Sequence, residues 1–130
     1  MSLLDIDTTN AQEPKVMPAG SECKLRIIDV RHDTDKNGNP YIMPRHDVAD
    51  EPLAKDFTDF IGLPYDGQDA KEKARAEWKV KTFLASFGLP DPYKGAPEDM
   101  QGHTGWAILG VKTDDTYGEQ NTVRKYVVGK

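Results

Sequence analysis

Between Asp69 and Gly88 apolar side chains recur at Ala76, Val80, Phe83, Leu84 and Phe87, a single stripe at the 3.6-residue period of an α-helix. Asp69 offers a capping carboxylate at the start, and Gly88 followed by Pro90 supplies the stop. A second line, Ala74, Trp78, Lys81 and Ala85, points well away from the first, while Arg75, Lys79, Thr82 and Ser86 keep a third side polar. The pattern predicts a helix that plugs a sheet with one face and leaves the Trp78 side to meet something else.

On both sides of the helix the period changes to two. Ser21 to Val30 sets Cys23, Leu25 and Ile27 on one face and Lys24 and Arg26 on the other. Ile28 and Val30 then take the opposite parity, so this strand is expected to bulge or bend near Ile27. Arg31 to Asn39 reads as a long hairpin loop with Asn37-Gly38 at its tip, and Tyr41 to Val48 as the returning strand, shortened by Pro44. Asp56 to Leu63 predicts a third strand, with Phe57, Asp59 and Ile61 on one parity and Thr58 and Phe60 on the other. After the helix come a loop rich in Pro and Gly (Pro90 to Gly102), a fourth strand (Gly105 to Lys112), a second long hairpin loop (Thr113 to Gln120) and a fifth strand (Thr122 to Val128).

Three strands, one helix and a closing hairpin is the connectivity of the OB-fold. The expected class is therefore mainly β, a five-stranded Greek-key barrel with one α-helix between the third and fourth strands. Its main competitor is an open antiparallel sheet carrying one helix on a face. Residues 17–130 form the expected domain. Residues 1–16, with Leu3, Leu4 and Ile6 among polar and acidic neighbours, read as a flexible arm or as a segment that docks on the Trp78 stripe of its own or a neighbouring chain.

At 130 residues the chain matches one domain with a modest core. It has no apolar run long enough to span a membrane, and Asp5 and Asp7 stand where a secretion signal carries positive charge. A lone cysteine, Cys23, cannot build a disulfide framework, so a cytoplasmic protein is expected. The formal net charge of -5 argues against coating nucleic acid by bulk electrostatics, and any such site must be a local basic face.

The short motifs add a family resemblance. Met17-Pro18-Ala19-Gly20 leads into an alternating strand, Gly38-Asn39-Pro40-Tyr41-Ile42 opens the second strand, and Phe83-Leu84-Ala85-Ser86-Phe87-Gly88 ends the helix. Gly102 precedes the fourth strand and Asn121-Thr122-Val123 opens the last. Over about Val16 to Val128 the chain resembles the small single-stranded-DNA-binding proteins of tailed bacteriophages. The resemblance implies an OB-fold that binds single-stranded DNA in replication or recombination, without catalysis, in the host cytoplasm. Some relatives end in an acidic tail that recruits replication partners. This chain reads Tyr126-Val127-Val128-Gly129-Lys130 there, so the resemblance does not carry tail-mediated recruitment over to it.

Binding a single strand takes cations for the phosphates and flat side chains on which bases stack. Lys24 and Arg26 share a parity on the first strand, Arg124 and Tyr126 share one on the last, Tyr41 begins the second and Trp106 opens the fourth. In an OB barrel these six fall on neighbouring strands and make one basic-aromatic face, the expected DNA site. The plainer alternative is a solvated strand face, with Trp106 or Tyr126 filling the barrel. Asp33, Asp35, Asp114, Asp115 and Glu119 make both hairpin loops acidic and point the path over the barrel face.

No cofactor or metal is expected. Asp33-x-Asp35-x-Asn37-Gly38 begins like a calcium loop, but Pro44 stands at its twelfth position; His32, His46 and His103 lack zinc spacing. Glu22-x-Lys24 and Glu77-x-Lys79 each match half of a metal-dependent nuclease motif, while phosphate-loop and hydrolase-elbow motifs are missing, so no enzyme is expected. The rival function is a non-enzymatic interaction module docking a protein through the Trp78 stripe and the arm. Replication proteins and a homodimer stay open as partners.

Overall fold

The computed structural model describes residues 5–130. The helix forms as α1, Ala70–Ser86. Asp69 caps it, its Oδ1 accepting from the Glu72 backbone N–H at 2.8 Å, and Gly88 takes the left-handed φ of +66° that ends it. Phe83, Leu84 and Phe87 of the apolar stripe enter the core, whereas Trp78 on the second line is 66% exposed.

The strands are β1 (Glu22–Thr34), β2 (Pro40–Val48), β3 (Phe57–Thr58), β4 (Ile61–Gly62), β5 (Thr104–Asp114) and β6 (Gly118–Val127). They make one six-stranded sheet in the order β3-β2-β1-β5-β6, with β4 also on β2, and every strand pair is antiparallel. The domain is mainly β with one α-helix. β1 is long enough to pair with β5 over Glu22–Arg26 and with β2 over Leu25–Thr34. The register slips between Ile27 and Asp29, the bend expected from the change of parity.

Two expectations are corrected. The third strand is split, because the ladder with β2 breaks at Asp59 and Phe60. Its alternation survives: Phe57, Asp59 and Ile61 face inward while Thr58 and Phe60 stay exposed. The hairpin loops are also shorter than expected, since the ladders run on to Thr34↔Pro40 and Asp114↔Gly118. Local carboxylates close both turns. Asp35 Oδ1 accepts from the N–H groups of Asn37 and Asn39, and Asp114 Oδ1 from those of Thr116 and Tyr117. These bonds hold both carboxyls below the usual range.

Docking of the arm begins at Lys15, two residues before the expected domain edge. The Lys15 N–H donates to Leu53 O at 2.8 Å and Lys15 O accepts from Lys55 N at 2.9 Å. The buried Asn121 then clasps Met17, accepting from its N–H at 2.8 Å and donating to its carbonyl at 2.9 Å. Leu3 and Leu4 of the arm lie outside the described residues.

Inside the sheet, Leu25, Ile27, Ile61, Phe83 and Leu109 are fully shielded, and with them lie three polar side chains, His46, Tyr126 and Asp59. The Tyr126 hydroxyl donates to Asp59 Oδ2 at 2.6 Å and lies 3.2 Å from His46 Nε2. Burial and the Asp59 carboxylate push the phenol well above its ordinary value, so it stays a donor. Its one proton is committed to Asp59, which makes His46 Nε2–H the donor to Tyr126 Oη and leaves Nδ1 without a partner. Lys79 Nζ completes the line at 3.3 Å from Asp59 Oδ1. His46 also stacks on Phe87, with ring centroids 5.4 Å apart. Tyr126, expected on the DNA face, is a core residue.

Removing that hydroxyl leaves a carboxylate oxygen and an imidazole N–H unpaired at once. Tyr126→Phe is expected to lose about 1–3 kcal/mol in urea unfolding, whereas Lys24→Ala on the surface stays within about 0.5 kcal/mol. Acid tests the histidine. Burial lowers the His46 pKa from 6.5 to about 3, so below pH 6.5 the unfolded chain takes a proton that the fold refuses. The contribution of His46 is complete above pH 6.5 and fades at up to about 1.4 kcal/mol per pH unit as the pH falls toward 3. Unfolding free energies measured from pH 7.5 to 5 are expected to fall below pH 6.5 in the native protein and to flatten in His46→Gln. An unchanged slope in the variant contradicts this account.

Candidate nucleic-acid interface

The outward positions of the sheet follow from its registers. Lys24 on β1 stands directly across from Trp106 on β5, and Trp106 directly across from Val127 on β6. One place further on, Ile108 pairs with Lys125. A second register slip, between Ile108 and Leu109, leaves Arg124 as the extra residue on β6. Arg124 lies over Gly110: a Cβ built there meets the Arg124 side chain at 3.1 Å and Thr122 Oγ1 at 2.8 Å. Leu109 is fully buried, so Gly110 faces outward and Arg124 joins Lys125 on the outer side.

Trp106 is partly exposed, and the Lys130 ammonium sits 4.7 Å from its ring centroid. Lys130 is also paired with Glu22 at 2.6 Å. Gly105 lets the end of α1 approach the start of this strand. A Cβ on it falls 2.6 Å from Ser86 O, and Ser86 Oγ donates to Trp106 O at 2.8 Å. Helix and strand therefore hold the tryptophan backbone from behind.

The six predicted site residues divide. Lys24, Trp106 and Arg124 share the outer face of β1, β5 and β6. Arg26 shares it too, but its guanidinium is tied to Asp47 at 2.5 Å. Tyr41 lies toward the far end of β2, across from Gly62 and against the exposed Phe60 at 4.9 Å between centroids. Tyr126 is inward. Strict alternation groups Tyr126 with Arg124, and the bulge at Arg124 undoes that grouping. Lys125 was missed by the same parity count, and Lys130 lies beyond the strand, where no parity applies. A polar residue placed two before Tyr126 and another directly before it was the only signal of the slip.

Charge is unevenly shared across the sheet. On β1 and β2 the three arginines meet carboxylates: Arg26–Asp47, Arg31–Asp29 and Arg45–Asp56. Lys24, Arg124 and Lys125 form no ion pair among the described residues, and neither does Lys81 on α1. Beside them a cleft of about 560 Å³ runs between α1 and β6, lined by Trp78, Lys81, Ala85, Arg124, Lys125 and Val128 among others. The exposed second line of the helix forms one wall of it.

Of the half-motifs of nuclease type, Glu22 pairs with Lys130, and Lys79 with Asp59 and the Phe60 carbonyl. Cys23 is buried, and burial first, then Glu51 and Glu22, raise its thiol pKa, so it packs as a small apolar residue. Among the described residues no group of three or more His, Cys, Asp or Glu side chains is placed to hold a metal ion, and no helix is long and apolar enough to cross a membrane. No protein-family model matches the chain, and no curated protein matches it.

Proposed function

We propose that this protein binds single-stranded DNA across the outer face of β1, β5 and β6, within a barrel of the OB type. The observation that carries the proposal is Trp106 with Lys24 in register beside it and Lys130 over its ring, next to the unpaired Arg124 and Lys125. A flat π-surface between cations matches the two requirements of a single strand, stacking and phosphate neutralisation. Lys130 lies over the ring that a base would cover. An incoming base displaces it, and the freed ammonium then serves a phosphate.

Support for the barrel comes from strand order and from the core. Three β segments precede the helix on the β2 side of β1, and the β5–β6 hairpin follows on the other side. The Tyr126–Asp59 hydrogen bond brings β6 to the β3–β4 junction, the contact an OB barrel closes upon. Its role is protection of single-stranded DNA in phage replication or recombination, without catalysis.

A Trp78→Phe variant leaves Trp106 as the sole tryptophan reporter, since the chain has Trp 2. Titration with oligo-dT at low salt is expected to quench its emission to saturation, with affinity falling steeply as salt rises. Trp106→Ala is expected to cost about 1–3 kcal/mol of binding, Lys24→Glu at least as much, and Tyr41→Ala nothing measurable. No saturable quenching at low salt, together with no shift in a gel, overturns the proposal.

A further inference from the structure

The α1–β6 cleft calls for a different ligand from the tryptophan face. We infer that it is a docking groove for an acidic peptide segment with aliphatic anchors, laid in extended form along the free edge of β6. It shares Arg124 and Lys125 with the DNA reading but rests on the cleft walls, Lys81 and the β6 main chain, and does not need that reading.

Three features set the chemistry of the occupant. The first is the walls. Thr82 and Ala85 of α1 face Val123 and Val127 of β6, and Val128 just beyond it, across the cleft, with Trp78 as its exposed aromatic side chain. Bases stack on flat aromatic surfaces, whereas an aliphatic floor takes Leu, Ile or Val side chains, so the walls favour peptide over nucleic acid.

The second is charge. Among the described residues, Lys81, Arg124 and Lys125 line the cleft without an ion-pair partner, and no carboxylate lines it. In a chain of formal net charge -5 that is a local reversal, and it selects carboxylates and rejects basic peptides. Lys79 contributes only its stem, because its ammonium is held by Asp59 and the Phe60 carbonyl on the other side.

The third is the backbone. β6 ends the sheet order, and its residues Gly118–Val127 make no backbone hydrogen bond beyond those to β5 among the described residues. Apart from the side-chain contact of Tyr126 with Asp59, this leaves an unbonded main chain beside an apolar groove, the geometry of strand addition, in which main-chain bonds give affinity and alternate side chains fill the groove. Lysines on an edge strand also serve to discourage aggregation. That function leaves Trp78, 66% exposed, and Val128, 53% exposed, without a reason to stand beside them.

The test uses the full chain carrying Trp106→Phe, so that Trp78 alone reports. The probe is an acetylated heptapeptide alternating Asp and Leu, compared with Lys/Leu and Asp/Ser counterparts and with oligo-dT. The Asp/Leu peptide is expected to shift the Trp78 emission to the blue with saturation. Both counterpart peptides are expected to bind at least about tenfold more weakly. Lys81→Glu and Val128→Asp, both at exposed positions that leave the core intact, are each expected to weaken the Asp/Leu peptide by about tenfold.

Equal binding of the Lys/Leu peptide, no saturable shift, or indifference to both substitutions overturns the proposal. So does oligo-dT that shifts Trp78 more readily and expels the peptide, an outcome that assigns the cleft to nucleic acid. Failure here is separable from failure of the DNA proposal, because that one is read from Trp106 and Lys24.

Discussion

The Tyr126 hydroxyl ties β6 to strands that no backbone ladder joins to it. It accepts a hydrogen bond from His46 on β2 and donates one to Asp59 at the β3–β4 junction, while Lys79 of α1 meets the same carboxylate. β6 and β3 stand at opposite ends of the sheet order, so this line of side chains ties the two ends and the helix at one point. Away from water each of these groups is costly unless satisfied, and one arrangement of the four elements satisfies them. The aromatic packing agrees with it. Phe83 and Phe87 stand edge-on to the Tyr126 ring with centroids 5.3 and 6.0 Å away, so the helix stripe seats on the same residue.

With the core pinned there, the two register slips decide what the outside shows. The slip at Ile27 and Asp29 bends β1, a strand that serves β5 over Glu22–Arg26 and β2 over Leu25–Thr34. The slip opposite Arg124 turns two consecutive cations, Arg124 and Lys125, to the same side of β6. Asp29, Asp47 and Asp56 then pair with the arginines of β1 and β2, while Lys24 on β1 and Arg124 and Lys125 on β6 form no ion pair among the described residues. A chain that is acidic as a whole thus carries one basic region. Two different chemistries border it: a tryptophan face on the sheet and an aliphatic cleft against the helix.

Much of this was written in the sequence, wherever the determining forces are local. A 3.6-residue stripe has to be buried, so α1, its cap at Asp69 and its exposed Trp78 line follow from Asp69 to Gly88 alone. Alternation located the strands and, through Phe57, Asp59 and Ile61, even the inward face of the broken third one. The change of parity after Ile27 announced the bend in β1.

What the sequence could not hold was decided between residues far apart in the chain. Tyr126 reads as a surface partner of Arg124 until His46 and Asp59, at separations of 80 and 67 residues, draw its hydroxyl into the core. Arg26 reads as a free cation until Asp47 is set beside it across β2. Lys125 and Lys130 read as nothing in particular until a bulge and the Trp106 ring place them. Periodicity records which side of its own element a residue prefers. Pairing of buried polar groups and of surface charges depends on which strand lies next door, and only the folded sheet determines that.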